Sequence, residues 1–324
     1  MASQCEENKH DKPIVYQEEL LHPELQQMID ENFTIVWPDQ VDKFRKKIVA
    51  LLVCKNPSPV NGELLDKFPA VKVVGKNGVG YDAVDVGACK ARGIRIGNTP
   101  GTLNDTTADM AFALLLATAR RVCEGDHICR DPATKSFDLN SFGYQVSGQV
   151  MGIVGLGRIG MEVAKRGRAF SMTVLYHNRR QCDGAVEKEL SVSYIPSLHE
   201  LLQKSDFVVV VVPGSKENVK LFGKTEFAAM KRSAVFINVS RGVVVDQDAL
   251  VAALSSNQIA AAGLDVTTPE PLPRDHPLLS LSNVTITPHW GSATLVTRKR
   301  MMEMTIKNIL AGVRGEPMPG EVLN

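Results

Sequence analysis

The chain has 324 residues, 44% of them apolar, and a formal net charge of +1 from 37 Lys and Arg against 36 Asp and Glu. That length suits about two domains of roughly 150 residues each, and the balanced charge argues against a nucleic-acid or anionic-membrane partner. The six scattered cysteines form no C-x-x-C pair, which argues against a disulfide framework or a metal site and marks them as reduced thiols, mostly packing residues.

The first twelve residues are polar and expected to be frayed. They lack the apolar core of a signal peptide, and their acidic residues argue against a transit peptide. No apolar stretch is long enough to span a bilayer, and Val322-Leu-Asn324 is not a peroxisomal address. The expected location is the cytoplasm. From Lys12 onward, short apolar runs alternate with helical patterns. Strands are expected at 14–16, 33–37, 48–53, 71–74 and 94–96, with helices at 22–31, 64–68 and 83–92. Strands alternating with helices indicate a parallel sheet with crossover connections. A long helix follows from Leu103 to Arg121, apolar nearly all round and so buried, with Asp105 or Thr106 as its expected N-cap. Residues 122–148 are polar and irregular, and read as an arm or loop. A second series of strands is expected at 150–154, 173–176, 207–212, 234–239, 261–266 and 284–286. Helices are expected at 161–170, 196–204, 224–231 and 247–255, and a final one from about Ser292 to Ala311. The two halves therefore read as two separate parallel sheets.

The centre of the second half is Gln149-Val-Met-Gly-Ile-Val-Gly-Leu-Gly-Arg-Ile-Gly160. Gly155, Gly157 and Gly160 form G-x-G-x-x-G between a strand and a helix, which is the context that gives the pattern meaning. The first glycine allows a tight turn, the second lets a pyrophosphate approach the backbone, and the third lets helix and strand pack closely. The helix N-terminus offers free N–H groups to the phosphates. About 20 residues on, where a carboxylate usually selects NAD by bonding the ribose, the chain reads Asn178-Arg179-Arg180. Two guanidinium groups suit a 2′-phosphate, which a carboxylate would repel. The expected cofactor is NADP(H). In isolation two arginines would be only a solvated basic turn.

Ligands of open α/β sheets gather at the carboxyl ends of strands. Those ends carry Pro213, Ser240-Arg241-Gly242, Thr267-Thr-Pro-Glu270-Pro271 and Thr287-Pro-His289. Singly, Arg241, Glu270 and His289 could each be an ordinary loop residue. Together they make a usable set. An imidazole beside a carboxylate can hold and donate a proton, and an arginine can bind a carboxylate and polarise the adjacent carbonyl. Those parts reduce a 2-keto acid by hydride transfer.

These residues resemble the D-isomer-specific 2-hydroxyacid dehydrogenases. The matching motifs are Val154-Gly-Leu-Gly-Arg-Ile-Gly160, Ile237-Asn-Val-Ser-Arg-Gly242, Gly263-Leu-Asp-Val266 with Glu270-Pro271, Thr287-Pro-His-Trp-Gly-Ser-Ala-Thr294, and, in the first half, Gly78-Val-Gly-Tyr-Asp82 and Asn98-Thr-Pro100. The likeness runs from about Pro13 to the end. Within the family, Ala262 to Pro273 and Leu310 to Pro319 are most similar to animal glyoxylate/hydroxypyruvate reductases.

The resemblance implies two doubly wound domains with a cleft between them. A flavodoxin-like substrate domain would take 1–104 and 300–324. An NADP-binding Rossmann domain would take 105–299, with a homodimerisation arm near 122–148. It implies His289 as the acid that protonates the carbonyl oxygen, Glu270 as its partner, and Arg241 on the substrate carboxylate and carbonyl. Backbone N–H groups of Val79 and Gly80 would clamp that carboxylate. Asp265 would orient the nicotinamide carboxamide, with Thr107 nearby, and Arg158, Ile159, Pro213, Val239 and Gly291 would line the cofactor. The implied reaction is hydride transfer from NADPH to glyoxylate, hydroxypyruvate or a similar acid such as 2-ketogluconate, giving the D-2-hydroxy acid.

Three features depart from the pattern. The arm has Phe137, Phe142 and Tyr144 but no Trp, Trp290 stands where a smaller aliphatic residue is usual, and Lys76-Asn77 precedes the Gly78 loop. They bear on which keto acid is used and leave the reaction type intact. A dinucleotide-sensing corepressor of the same fold would also keep Arg241, Glu270 and His289, but Asn178-Arg179-Arg180 and the short tails count against it. A phosphoglycerate dehydrogenase usually has a carboxylate at the ribose, and a formate dehydrogenase has Gln at the place of Glu270.

Overall fold

The computed structural model describes residues 12–54, 59–138 and 140–322. The polar N-terminal segment up to Asp11, with Cys5, and the terminal Leu323 and Asn324 lie outside them. The chain divides into two compact units, one running to Leu103 and resuming at Thr294, the other from Asn104 to Ala293.

The first unit holds β1 (Ile14–Gln17), β2 (Thr34–Val36), β3 (Ala50–Val53), β4 (Val73–Lys76) and β5 (Arg95–Gly97). They form one sheet of order β2-β1-β3-β4-β5, parallel throughout. That is the flavodoxin-like doubly wound order. Both faces are covered, so these strands are apolar runs that alternate between two cores. Ala50 and Leu52 pack with Ile29, Met302 and Ile309, whereas Leu51 packs with Phe68, Val74 and Ile96. The closing helix Leu295–Arg314 starts at Thr294, whose hydroxyl caps Thr297 N–H, and stops at Gly315 in the left-handed region. It lies on β4 and β5. A Cβ on Gly75 would come within 2.6 Å of Ile309, so glycine sets how closely helix and strand approach.

The second unit holds β6 (Val150–Val154), β7 (Thr173–His177), β8 (Val192–Tyr194), β9 (Phe207–Val210), β10 (Val235–Asn238), β11 (Ala261–Leu264) and β12 (Val284–Ile286). Their order is β12-β11-β10-β9-β6-β7-β8, again all parallel. The order reverses between β6 and β9, which places the ligand crevice of such a sheet at the carboxyl end of β6. Every residue of β9, β10 and β11 is buried. The long helix Asn104–Ala119 buries Ala108, Ala111, Leu114 and Leu115 against this sheet.

Several expectations need correction. The long helix begins at Asn104, so Asp105 sits in its first turn, favourable to the helix dipole, and neither Asp105 nor Thr106 is the cap. The arm is not all loop. Arg121 takes φ 56°, ends the long helix, and a second helix runs from Val122 to Arg130. Helix Gly184–Leu190 and β8 were not foreseen. The valine run leaves the ladder after Val210. Among the described cysteines all are free; Cys89 is buried and Cys54 and Cys182 pack against the cores, as expected, while Cys123 and Cys129 are exposed. Among the described residues no helix is long and apolar enough to cross a membrane, and no cluster of His, Cys, Asp and Glu could hold a metal ion.

Candidate active site

The glycine loop is built by contacts that exclude side chains. Gly155 takes φ +105°, and a Cβ there would meet Val211 O at 2.7 Å. A Cβ on Gly160 would lie 2.2 Å from Gly155 O. Gly157 faces open space and begins the helix Arg158–Ala169, its carbonyl accepting from Met161 N–H. The first turn of that helix therefore presents backbone donors at the end of β6, as a phosphate site requires. Arg158 is exposed and Ile159 half-buried beside them.

The turn after β7 divides its labour. Asn178 Oδ1 accepts from Leu156 N–H at 2.7 Å, and its amide donates to Cys182 Sγ at 3.3 Å. Its side chain thus braces the glycine loop. Tyr194 Oη donates to Asn178 O, and Tyr176 Oη donates to Glu187 at 2.6 Å while accepting from Cys182 N–H. Burial, followed by the bond to Glu187, raises the Tyr176 phenol far above its ordinary range. This hydrogen-bonded base leaves Arg179 and Arg180 exposed beside it, with Glu217 3.9 Å from Arg179. Pro213, after β9, is exposed and accepts from Asn218 through its carbonyl.

The reactive groups come from three adjacent strand ends. After β10, Asn238 Oδ1 accepts from both the N–H and the hydroxyl of Ser240, and its amide donates to Arg241 O. This turn fixes the backbone of Arg241, next to buried Val239. A Cβ on Gly242 would lie within 1.9 Å of Thr267 O, so only glycine lets the Arg241 turn abut the loop after β11. There Glu270 Oε1 accepts from Thr267 N–H at 3.1 Å, and Oε2 lies 2.8 Å from His289 Nδ1. Burial pushes the Glu270 carboxyl up. The bond and charge of His289, the Thr267 N–H and the charge of Arg241 outweigh it and hold the group below its ordinary value. An ionised carboxylate only accepts, so the proton between them belongs to Nδ1, and Nε2 is left to exchange a proton with a ligand.

His289 stands at φ 58°, a left-handed conformation that costs a non-glycine residue energy. Asp265 holds it there. Its backbone carbonyl accepts from His289 N–H, and its side chain takes Thr287 Oγ1 at 2.6 Å, Trp290 N–H at 2.7 Å and Gly291 N–H at 2.7 Å. Burial raises the Asp265 carboxyl, and those three donors oppose the rise. Thr107 lies against Gly291. Thr107, Asp265, Gly291, His289, Glu270 and Arg241 are thus one connected group. Asn238, Thr267 and Thr287, which assemble it, were missed in the sequence. A polar residue at the end of each buried strand was the available signal.

In the first unit, Val79 and Gly80 follow β4. Gly78 O accepts from Thr99 N–H at 3.0 Å, and Val79 O accepts from Asn98 at 2.8 Å. Because each peptide is planar and trans, anchoring these two carbonyls aims the N–H groups of Val79 and Gly80 the opposite way, as an anion clamp needs.

Residues 112–291 match the family model for the NAD-binding domain of D-isomer specific 2-hydroxyacid dehydrogenases. A glyoxylate reductase of Korarchaeum cryptofilum is 44% identical over 303 residues, spanning 91% of each chain. A glyoxylate/hydroxypyruvate reductase B of Salmonella newport is 42% identical over 313 residues, spanning 94% of this chain and 96% of that one. Among solved structures, the NADPH-dependent glyoxylate/hydroxypyruvate reductase of Sinorhizobium meliloti, in complex with NADP and malonate, superposes with a TM-score of 0.86 at 33% identity, over 96% of this chain and 97% of the other. The chain belongs to the D-isomer-specific 2-hydroxyacid dehydrogenase family, with a nicotinamide-dinucleotide-binding domain of the Rossmann type. These relatives are archaeal and bacterial, so the animal likeness of the tail rests on its motifs alone.

Proposed function

We propose that the protein is an NADPH-dependent reductase of small 2-keto acids such as glyoxylate, hydroxypyruvate or 2-ketogluconate. The observation that carries this reading is the Glu270–His289 pair beside Arg241 at three neighbouring strand ends. In the proposed reaction NADPH delivers hydride to the keto carbon. His289 Nε2 gives its proton to the carbonyl oxygen, and Glu270 stabilises the charged imidazole until solvent reprotonates it. Arg241 holds carboxylate and carbonyl oxygen, and the amides of Val79 and Gly80 hold the carboxylate. The products are NADP+ and the D-2-hydroxy acid.

Gly155, Gly157, Arg158, Ile159 and Gly160 cradle the pyrophosphate, and Arg179 and Arg180 take the 2′-phosphate. The absence of a carboxylate at the ribose turn supports NADPH over NADH. Asp265 Oδ2 accepts from Gly291 N–H and has a further lone pair for the nicotinamide carboxamide, beside Thr107. Pro213, Val239 and Gly291 line the cofactor. The first unit serves the substrate and the second the cofactor. The exposed Val122, Phe137 and Phe142 of the arm support a homodimer, in the cytoplasm. The decisive test is a rate panel of glyoxylate, hydroxypyruvate, pyruvate and 2-ketogluconate with each cofactor. Turnover faster with NADPH is expected. No turnover with any keto acid would point instead to a dinucleotide-sensing binding protein.

A further inference from the structure

Lys76 has no part in the chemistry above, and its setting is unusual. It is the last residue of β4, paired in register with Val53, and only 4% exposed. Burying an ammonium group is costly unless it is hydrogen-bonded or paired. The carboxyl end of a parallel strand is where such a sheet meets its ligand. The side chain runs toward the anion clamp: a Cβ on Gly78 would lie 3.6 Å from Lys76 Cε. Gly78 begins the loop whose carbonyls are tied down by Thr99 and Asn98.

The base beneath is firm. Asn77 donates to Cys54 Sγ at 3.8 Å and accepts from Thr305 of the closing helix at 3.4 Å. Burial first, then the neighbouring groups, leaves the Cys54 thiol at about 11; among the charges that reach it are Lys76, Arg298 and Glu19.

We propose that Lys76 is a specificity-determining residue that adds its positive charge to the amide clamp of Val79 and Gly80 and so favours keto acids of higher negative charge. This rests on the reading of that loop as the substrate carboxylate clamp. Amides alone bind a carboxylate by geometry and are nearly indifferent to a second charge. A nearby ammonium in a site of low dielectric is not. The favoured substrates are those with a second anionic group, and among inert analogues oxalate, a dianion, is favoured over oxamate, a monoanion of the same shape.

The test uses the full chain with K76M and K76R, each checked for NADPH affinity and melting temperature. In K76M the KM for glyoxylate should rise about tenfold with kcat within twofold, because one charge is lost from binding and none from the chemical step. The preference for oxalate over oxamate should shrink by a similar factor, and K76R should restore most of both. A loss of packing alone would weaken both inhibitors equally. Unchanged KM and inhibitor ratio in a folded K76M would overturn the proposal. So would failure of both variants to fold, which would make the lysine a structural ion. If the unaltered protein turns over no keto acid, the parent reading fails, and that result is separate from either of these.

Discussion

On one side of the seven-stranded sheet, β6 and β7 end in a surface made of backbone. Gly155, Gly157 and Gly160 shape it, and Asn178 braces it from below. On the other side, β10, β11 and β12 end in a surface made of side chains, where Arg241, Glu270 and His289 meet across 48 residues of sequence and Asp265 ties the last turn in place. The first needs open space and free N–H groups, so its demands are steric. The second needs charges in a fixed relation, so its demands are electrostatic. Damage to the first should appear in cofactor binding, and damage to the second in turnover.

The largest expected effect breaks the second surface. His289→Gln should lower kcat by about 100- to 10,000-fold, the usual contribution of a positioned acid, while NADPH affinity measured by titration stays near its original value. Near-normal turnover would remove His289 from the proton transfer. Next is Gly160→Ala, whose new Cβ would lie 2.2 Å from Gly155 O. The loop must shift, so NADPH affinity should fall more than tenfold with a stability loss of about 1–3 kcal/mol, read by calorimetry. Retention of full affinity would show that the close approach is dispensable.

Arg179 and Arg180 changed together to Ala should weaken NADPH about 10- to 100-fold, with NADH barely altered, since only one cofactor carries the 2′-phosphate. An equal loss for both cofactors would refute the assignment. A smaller effect concerns acid. Glu270 titrates below its ordinary value in the folded protein. Its contribution to stability is therefore complete above the ordinary carboxylate range and is lost as pH falls through the lowered folded value. In Glu270→Gln that acid-side decline in melting temperature should be shallower, and an unchanged profile would mean the pairing with His289 does not stabilise the fold. The mildest probe is optical. The chain has two tryptophans, and Trp290, 54% exposed, directly follows His289. NADPH should quench fluorescence in Trp37→Phe and leave it nearly constant in Trp290→Phe.

The two surfaces also differed in how far they could be read beforehand. The glycine loop is local: three residues within six positions, flanked by the strand and helix that give them meaning. Its place, its turn and its helix were all legible. Arg241, Glu270 and His289 were legible as strand ends, because parallel sheets collect ligands there. Their mutual geometry was not, since it depends on strand order and on Gly242 against Thr267. The left-handed His289 could not be read, because it is held by Asp265 from another strand. Asn178, grouped with the arginines at the ribose turn, also accepts from Leu156 N–H, a bracing role that its place on the turn does not reveal. Helix Gly184–Leu190 and β8 escaped because seven and three residues are too short to show a period. Asp183, which caps that helix by accepting from Ala185 N–H, was the signal left unused. The arm reads as loop in the sequence because its polarity hides the amphipathic turns of Val122–Arg130.

The closing helix Leu295–Arg314 fixes the order in which the chain can mature. It covers β4 and β5, which are made some 200 residues before it. During synthesis the second unit, continuous from Asn104 to Ala293, has all its strands before the first has its lid. Val73, Gly75 and Gly97 must then stay uncovered on the ribosome while the later domain folds. The face that waits is apolar, since Val15, Ala50, Leu52 and Val73 share a core with Met302, Ile306 and Ile309 of that helix, so it stays open to misassociation until the last residues are made.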